Sequence, residues 1–186
     1  GIRDLVRSRG LGDVYKRQLS NFTIVIQCMS QEIERKFILS KIPKNLPALK
    51  IKQGYLQLDK NCTIRVRSTF SSKGSKSTLT IKGPTSLNGM SRYEFETKLS
   101  KPDAISLFKI CHKPLIEKTR YIYLYDSMKW ELDEFHGANQ GLLIGEIELE
   151  SETEKFNIPN IVLKEVTGEK KYYNSMLQQN PFNSWK

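Results

Sequence analysis

The sequence predicts an α+β fold that is mostly β, in which eight strands close into a barrel, or tunnel, with a few flanking helices. Three observations support this. Eight runs rich in β-branched and aromatic residues follow one another at even spacing. Little of the chain between them has helical periodicity. Charged residues recur two apart within these runs, so that one face of each strand is charged and the other is often apolar.

The first five predicted strands come before any helix. They span residues 31–39, 51–58, 63–70, 77–82 and 90–99. Loop and turn segments separate them: residues 43–47, the hairpin turn 59–61, the Ser/Gly/Lys turn 71–76, Gly83-Pro84 and Asn88-Gly89.

A helix is predicted after the fifth strand. Ser100 is a favourable N-cap, and Pro102 and Asp103 suit a first helical turn. Pro114 marks the residue before which the helix must end. Its apolar positions are Ile105, Leu107, Phe108 and Cys111.

Three more strands are predicted at residues 116–125, 129–135 and 142–150. Residues 161–167 and 171–178 are predicted as closing helices, with Gly168 between them. Eight short strands with so little helix favour a barrel over an open sheet.

The charged residues segregate by strand into acidic and basic sets, which a merely solvated surface does not require. We therefore expect acidic and basic strands to line a closed, charged tunnel that holds metal and phosphate. A solvated strand face is the alternative for any single pair, above all Lys50/Lys52 and Glu94/Glu96. The sets are Glu32/Glu34/Lys36, Lys50/Lys52, Arg65/Arg67, Thr80/Lys82, Arg92/Glu94/Glu96/Lys98, Lys118/Arg120, Lys129/Glu131/Asp133 and Glu146/Glu148/Glu150.

The formal net charge is +10. Residues 1–18 contribute five basic and two acidic residues, or +3, which leaves +7 for the rest. Such an excess suits an anionic partner, either nucleic acid or a polyanionic small molecule. Aromatic residues do not interleave with the basic ones as in RNA-binding sheets, so an RNA-binding β-barrel is the secondary hypothesis. No segment has the length of a membrane span, and no membrane partner is expected.

The cysteines and histidines indicate neither a disulfide framework nor a zinc site. Cys28, Cys62 and Cys111 are widely spaced and odd in number, and His112 and His136 are isolated. Reduced thiols are typical of a cytoplasmic protein, which is the predicted location.

The beginning of the chain resembles translated sequencing adapter. Residues 12–18 match, codon by codon, an end sequence used in DNA library preparation, and the preceding residues fit the same adapter. We therefore expect residues 1–28 to be an adapter-derived or non-native, disordered leader and residues 29–186 to be a single domain that begins at Met29. A short signal peptide over residues 16–28 is the alternative, but no small-residue cleavage site follows it.

The charge pattern suits a triphosphate and a divalent cation. Several Lys and Arg donors are needed to match the phosphates, and Arg65, Arg67, Lys82, Lys118 and Arg120 supply them. Mg²⁺ or Mn²⁺ prefers oxygen ligands, which the carboxylates of Glu32/Glu34 and Glu146/Glu148 provide. Opposite charges across a tunnel would also offset the cost of burying either set alone.

An ordered set of motifs resembles the CYTH domain of the triphosphate tunnel metalloenzymes. It covers nearly all of the chain after residue 28, and the whole set is far more specific than Glu-x-Glu-x-Lys alone. The motifs are Glu32-x-Glu34-x-Lys36, Thr63-Ile64-Arg65-Val66-Arg67, Leu79-Thr80-Ile81-Lys82-Gly83, Arg92-Tyr93-Glu94-Phe95-Glu96, Lys118-Thr119-Arg120-Tyr121, Trp130-Glu131-Leu132-Asp133-Glu134-Phe135 and Gly145-Glu146-Ile147-Glu148-Leu149. Glu165-Val166-Thr167 and Lys171-Tyr172-Tyr173-Asn174 resemble the closing helix of the family.

The resemblance implies a closed antiparallel eight-stranded tunnel and a role for each charged residue. It implies metal ligands at Glu32, Glu34, Asp133, Glu146 and Glu148. It implies catalytic roles for Glu32, Glu34, Lys36, Glu146 and Glu148. It implies phosphate binding by Lys36, Arg65, Arg67, Lys82, Lys118, Arg120 and Lys171. It implies a tunnel lining that includes Arg92, Glu94, Glu96 and Glu131.

The expected function is metal-dependent hydrolysis of a triphosphate, with inorganic tripolyphosphate as the predicted substrate and water activated by Mg²⁺ or Mn²⁺ as the nucleophile. Thiamine triphosphatase and class IV-type adenylate cyclase are the enzymatic alternatives, for which Trp130, Tyr55, Phe70 or Tyr121 would contact the organic group. A polyphosphate- or nucleotide-binding module is the non-enzymatic alternative. The expected partner is a triphosphate-containing small molecule without nucleic acid, and the protein is expected to be a monomer or homodimer.

Overall fold

A single antiparallel sheet dominates the computed structural model, which describes residues 33–59, 62–85, 92–151 and 153–185, with only the backbone at 84, 85, 92 and 93. Within these ranges the sheet has nine strands in the order β5-β4-β3-β2-β6-β7-β8-β1-β9. The strands are β1 (Ile33–Leu39), β2 (Ala48–Leu58), β3 (Thr63–Ser71), β4 (Gly74–Thr85), β5 (Arg92–Leu99), β6 (Ile116–Tyr125), β7 (Met128–Phe135), β8 (Leu143–Leu149) and β9 (Val162–Glu165).

Two α-helices accompany the sheet in the described ranges, α1 (Lys101–Ile110) and α2 (Asn174–Gln179). The predicted N-cap of α1 is confirmed, because the Ser100 hydroxyl accepts a hydrogen bond from the Asp103 amide at 3.2 Å. Short 3₁₀ helices lie at Gly137–Asn139, Lys170–Tyr172 and Phe182–Ser184. Across the described ranges, we find no helix with the length and hydrophobicity of a transmembrane segment.

The predicted strands are all present, but the predicted count of eight is wrong. The ninth strand, β9, occupies a segment that was predicted as a closing helix. Val162 and Lys164 pair with Leu39 and Ile38 of β1, and this offers the segment a hydrogen-bonded partner along a free sheet edge. The other closing helix forms as α2, preceded by the 3₁₀ turn Lys170–Tyr172.

The sheet is also not closed by hydrogen bonds. Among the described residues, the ladders end at β5 on one side and at β9 on the other. The closed barrel expected from the strand count is thus replaced by an open sheet of nine strands.

The outer face of the sheet, defined as the one bearing Phe37 and Ile147, carries the main apolar core. Phe37 and Trp130 are fully buried there, with ring centroids 5.2 Å apart, and Phe156 packs edge-on against both. Leu39, Leu132, Leu149 and Ile161 complete this cluster. On β1, β7 and β8 the alternation therefore sends these apolar side chains outward and the charged residues that line the cavity to the opposite, inner face.

A second apolar cluster lies at one end of the inner face. Ile116, Phe135 and Ile144 stand on β6, β7 and β8 in register with the inner-face charges, and α2 places Leu177 against them with no exposed surface. The inner face therefore changes along the strands from charged to apolar, and α2 covers the apolar end.

We expect Leu177→Ala to lower the free energy of unfolding by about 2–5 kcal/mol, because it leaves a cavity in this closed end. Leu163→Ala is the matched control, since Leu163 on β9 is 67% exposed, and its effect should stay within about 0.5 kcal/mol. Urea denaturation of both variants measures the difference. Equal effects would show that α2 does not seal the inner face.

Candidate active site

The inner face surrounds a cavity of about 810 Å³. Side chains from β1 to β8 line it, and residues between Thr167 and Ser175 close part of its rim. Because neighbouring strands contribute inner-face residues in turn, the sheet curves around this space. The charges that the sequence places two apart on each strand therefore converge on one volume instead of pointing outward.

One wall of the cavity is a network of ion pairs on β1, β6, β7 and β8. Lys36 Nζ donates to Glu34 Oε1 at 2.7 Å and also to Glu146. The other oxygen of Glu146 accepts from Arg120 Nη2 at 2.5 Å. The register explains the meeting of these groups, because Lys36 on β1 lies directly opposite Glu146 on β8.

Beneath this wall lies a buried pair, Lys118 and Asp133, whose side chains have no exposed surface. Asp133 accepts from Lys118 and from both Nε and Nη2 of Arg120, the latter two at 2.7 Å. Arg120 also pairs with Glu131. Asp133 thus fixes the guanidinium that in turn holds Glu146 and Glu131.

The two carboxylates that share Lys36 have opposite pKa shifts. Burial and the negative charge of Glu146 raise the pKa of Glu34 above its ordinary value. Burial works in the same direction on Glu146, but Lys118, Lys36 and Arg120 outweigh it and hold the pKa of Glu146 far below the usual range. Glu146 is therefore anionic at neutral pH, and Glu34 is the carboxylate that a further cation would relieve.

The opposite wall is basic and lacks such compensation. Arg65 and Arg67 on β3 form no ion pair with any residue that the structure describes. Burial and the positive charges of Arg65 and Arg120 lower the pKa of Arg67 to about 10. The Nε of Arg65 is buried and has no hydrogen-bond partner among the residues that the structure describes. The positive charges of this wall are therefore available to an anion that enters the cavity.

On the other side of the basic wall, β4 and β5 carry mixed pairs. Lys82 contacts Glu94 at 2.8 Å, and Thr80 accepts from Arg65 at 3.2 Å while it donates to Glu96 at 2.9 Å. Both glutamates are exposed at the cavity rim. By contrast, Lys50 and Lys52 belong to the outer face, where Lys52 pairs with Glu117.

The donors suit a hard divalent cation. Glu34 and Glu146 lie close enough to repel each other, and Glu148, which also lines the cavity, has no ion-pair partner in the described part of the chain. No group of three or more acidic, His or Cys side chains is arranged as a metal site among the described residues, which leave out Glu32. Lys36 and Arg120 occupy the carboxylate oxygens that a cation would take.

The structure brings most of the predicted site residues together at the cavity. Those that line it are Glu34, Lys36, Arg65, Arg67, Lys82, Glu94, Glu96, Arg120, Glu131, Glu146 and Glu148. Glu32 lies outside the described residues, and Arg92 is placed in β5 by its backbone only.

Three predicted site residues are not part of the lining. Lys118 and Asp133 lie below it, fully buried. Lys171 instead lies over the rings of Tyr172 and Trp185, at 4.9 and 5.1 Å from their centroids. The motif around Lys171 does not reveal this, because two aromatic neighbours compete with the cavity for its ammonium group.

Sequence reasoning missed several residues of the lining and misplaced one aromatic side chain. Thr167, Gly168 and Tyr173 to Ser175 line the cavity, as does Tyr55. Lys129, which the charge pattern groups with Glu131 but to which no role was given, lines it as well. Tyr55 was considered only as a surface for an organic base. Trp130, considered for the same role, lies in the outer core without exposed surface. The sequence did contain a signal for this position. Trp130 directly precedes Glu131 on β7, and adjacent residues of a strand point to opposite faces, so Trp130 must lie on the outer face.

Comparison with known families identifies the family of this chain. The model of the CYTH domain matches residues 30–179. This chain belongs to the CYTH domain family. The family resemblance drawn from the motifs is thus confirmed.

Curated CYTH relatives cover most of the chain. An inorganic triphosphatase of Acetivibrio thermocellus is 42% identical over 161 residues, which is 85% of this chain and 99% of that protein. An inorganic triphosphatase of Nitrosomonas europaea is 33% identical over 150 residues, which is 78% of this chain and 95% of that protein. A crystal structure of an inorganic triphosphatase matches with a TM-score of 0.63 and 30% identity, covering 81% of this chain and 95% of that one.

The raised pKa of Glu34 predicts a pH-dependent loss of stability. A carboxyl group whose pKa is raised by folding stabilises the fold below its unfolded-state value, near 4.5, and this contribution is lost as the pH rises through the raised value. In metal-free buffer we therefore expect wild type to lose stability relative to Glu34→Gln as the pH increases above about 4.5. Urea denaturation across this range measures the difference.

Glu165→Gln is a control of opposite sign. A hydrogen bond from Arg35 lowers the pKa of Glu165, so its contribution is present above about pH 4.5 and lost as the pH falls. Wild type should therefore lose stability relative to this variant only on the acid side. Parallel curves for wild type and Glu34→Gln would contradict the assignment for Glu34.

Proposed function

We propose that this CYTH protein hydrolyses a phosphoanhydride bond of a triphosphate with the aid of a divalent cation, and that inorganic triphosphate is its substrate. The observation that carries the proposal is the asymmetry of the cavity. One wall has carboxylates held in place by Lys36 and Arg120, and the other has Arg65 and Arg67 without a carboxylate partner among the described residues.

The basic wall supplies the binding energy for the phosphates. Arg65, Arg67 and Lys82 present guanidinium and ammonium donors on adjacent strands, and such donors form the strongest hydrogen bonds with phosphate oxygens. Because Arg67 is buried and near two other cations, an anion bound beside it removes an unfavourable repulsion. A phosphate chain bound there faces Glu34, Glu146 and Glu148 across the cavity.

The lining favours an inorganic substrate over one with an organic base. Tyr55 and Tyr173 are the aromatic side chains among the described lining residues. Trp130 is buried in the outer core, and Tyr121 donates to Glu134 at 2.9 Å on the outer face. A thiamine or adenine ring would thus meet charged groups in most of the cavity. The two relatives named inorganic triphosphatase support this choice of substrate.

In the reaction, the acidic wall would bind the cation and the basic wall would stabilise the phosphate charges. A divalent cation, Mg²⁺ or Mn²⁺, would bind to carboxylates among Glu34, Glu146 and Glu148, where it would neutralise phosphate oxygens and lower the pKa of the attacking water. Glu34, whose pKa is raised, is the residue best suited to exchange Lys36 for that cation. The arginines of β3 stabilise the charge that develops on the departing phosphate oxygens. Asp133 and Lys118 support Arg120 from below and do not touch the substrate.

The tunnel implied by the resemblance corresponds, in this proposal, to the space enclosed by the inner faces of β1 to β8. The enclosure would come from the curvature of the open sheet and from the segment between Thr167 and Ser175, not from a closed ladder of hydrogen bonds. Such an enclosure would exclude bulk water from the phosphates and strengthen each charge interaction.

The proposal predicts phosphate release from tripolyphosphate that requires Mg²⁺ or Mn²⁺ and is lost in Glu146→Gln and Glu148→Gln. We expect kcat/KM to fall by about 100-fold or more in each variant, because a carboxylate facing the cation loses its charge. Glu117→Gln is the matched control, since Glu117 pairs with Lys52 on the outer face, and it should keep wild-type activity.

The same assay separates the alternatives. Faster release from thiamine triphosphate, or formation of cyclic AMP from ATP, would replace inorganic triphosphate as the substrate. Tight binding of tripolyphosphate without phosphate release would identify a binding module. Activity that survives in both Glu146→Gln and Glu148→Gln would overturn the assignment of the acidic wall.

A further inference from the structure

A buried amide lies on β2, next to the basic wall on β3. Gln53 on β2 has no exposed surface, and both the oxygen and the nitrogen of its amide form hydrogen bonds. Its Oε1 accepts from Arg67 Nε at 3.1 Å and from Arg67 Nη2 at 2.9 Å. Its Nε2 donates to the hydroxyl of Tyr55 at 2.8 Å.

The orientation of this amide follows from the chemistry of its neighbours. A guanidinium can only donate, so the amide atom facing Arg67 must be the oxygen, and the nitrogen must face Tyr55. The Tyr55 oxygen is then the acceptor of that bond, and its own proton points elsewhere. In the described part of the chain that proton has no acceptor, although Tyr55 is only 4% exposed and lines the cavity.

The backbone under this pair is held from behind. The Tyr55 carbonyl accepts from the His112 amide at 2.9 Å, just after α1. Gly54, between Gln53 and Tyr55 in the chain, packs so closely against Cys111 that a Cβ added at Gly54 would lie 2.8 Å from the Cβ of Cys111. The backbone of β2 beside Gln53 is therefore closely packed from behind, and its Tyr55 side chain lines the cavity.

The choice of an amide at position 53 also matters for charge. A carboxylate in this place would pair with Arg67 and cancel its charge, whereas the neutral amide orients the guanidinium and leaves the charge for a ligand. Arg65 lies two residues from Arg67 on the same strand, and its buried Nε has no hydrogen-bond partner within the described ranges. The guanidinium groups of Arg65 and Arg67 and the hydroxyl of Tyr55 can all donate hydrogen bonds to an anionic oxygen.

We propose that Tyr55 donates a hydrogen bond to a phosphoryl oxygen of the bound triphosphate, and that Gln53 is the positioning residue that orients both Tyr55 and Arg67 for this contact. The inference rests on the proposed function for the identity of the ligand. Burial outweighs the nearby arginines and raises the pKa of Tyr55, so its hydroxyl keeps its proton at neutral pH. Tyr55 then serves as a neutral donor beside two cationic ones.

The first test is Tyr55→Phe, which removes the hydroxyl and keeps the ring. We expect kcat/KM for tripolyphosphate to fall by about 10- to 100-fold, as for a lost hydrogen bond to a charged group. Tyr123→Phe is the matched control, because Tyr123 packs against the outer core and does not line the cavity, and it should match wild type. An unchanged kcat/KM in Tyr55→Phe would overturn the role of Tyr55.

The second test is Gln53→Glu, which keeps an acceptor for Arg67 but neutralises it and removes the donor to Tyr55. We expect KM for tripolyphosphate to rise about tenfold or more with a smaller change in kcat, while the melting temperature stays the same or rises through the new ion pair. A purely structural role would lower the melting temperature and leave KM unchanged, and that result would overturn the positioning role.

Calorimetry with tripolyphosphate and Mg²⁺ separates the failure of this inference from that of the proposed function. If wild type binds tripolyphosphate but does not hydrolyse it, the enzymatic proposal fails. Weaker binding by Tyr55→Phe would then still support the contact, and equal binding would overturn it. A wild-type protein that neither binds nor hydrolyses tripolyphosphate would overturn both.

Discussion

The burial of charge on the inner face of a sheet is the constraint on which the rest of this structure depends. Taking an ion out of water costs several kcal/mol unless partners are close and well oriented. Arg120 meets this requirement for three carboxylates at once, Asp133, Glu131 and Glu146. Burial alone would lower its pKa, but these partners raise the pKa of Arg120 above its usual value. The same guanidinium thus ties β6 to β7 and β8.

Most charges of the acidic wall have ion-pair partners within the protein, whereas the two arginines of the basic wall have none among the described residues, and this difference links stability to function. The acidic wall is largely satisfied within the protein, whereas Arg65 and Arg67 have only neutral partners among the described residues, Thr80 and Gln53. An anion therefore improves the electrostatic energy of the basic wall. A cation improves that of the acidic wall by relieving Glu34. A triphosphate with a divalent cation supplies both charges in one ligand, which explains why the two walls face each other.

The sequence allowed the strands and their faces to be predicted, because a period of two is a local property. It also identified the family. How deeply each charged side chain is buried, and which segments pair with a distant strand, could not be predicted from this local pattern. Lys118 and Asp133 obey the same alternation as Arg120 and Glu131, but they lie one step closer to the apolar end and are buried beneath the cavity. The segment at Val162 became a strand because β1 has a free edge, a fact that no local pattern contains.

An inverted distribution of polarity explains the remaining architecture. Since the inner face is charged, the sheet cannot use it for a full hydrophobic core, and the outer face must serve instead. Phe156 and Ile161 cover that outer core, and β9 follows them directly to pair with β1. At the end of the inner face where the charges stop, Leu177 of α2 seals the apolar residues. Parts of the chain after β8 thus cover apolar surface on both faces of the sheet, and the segment between Thr167 and Ser175 closes part of the cavity rim.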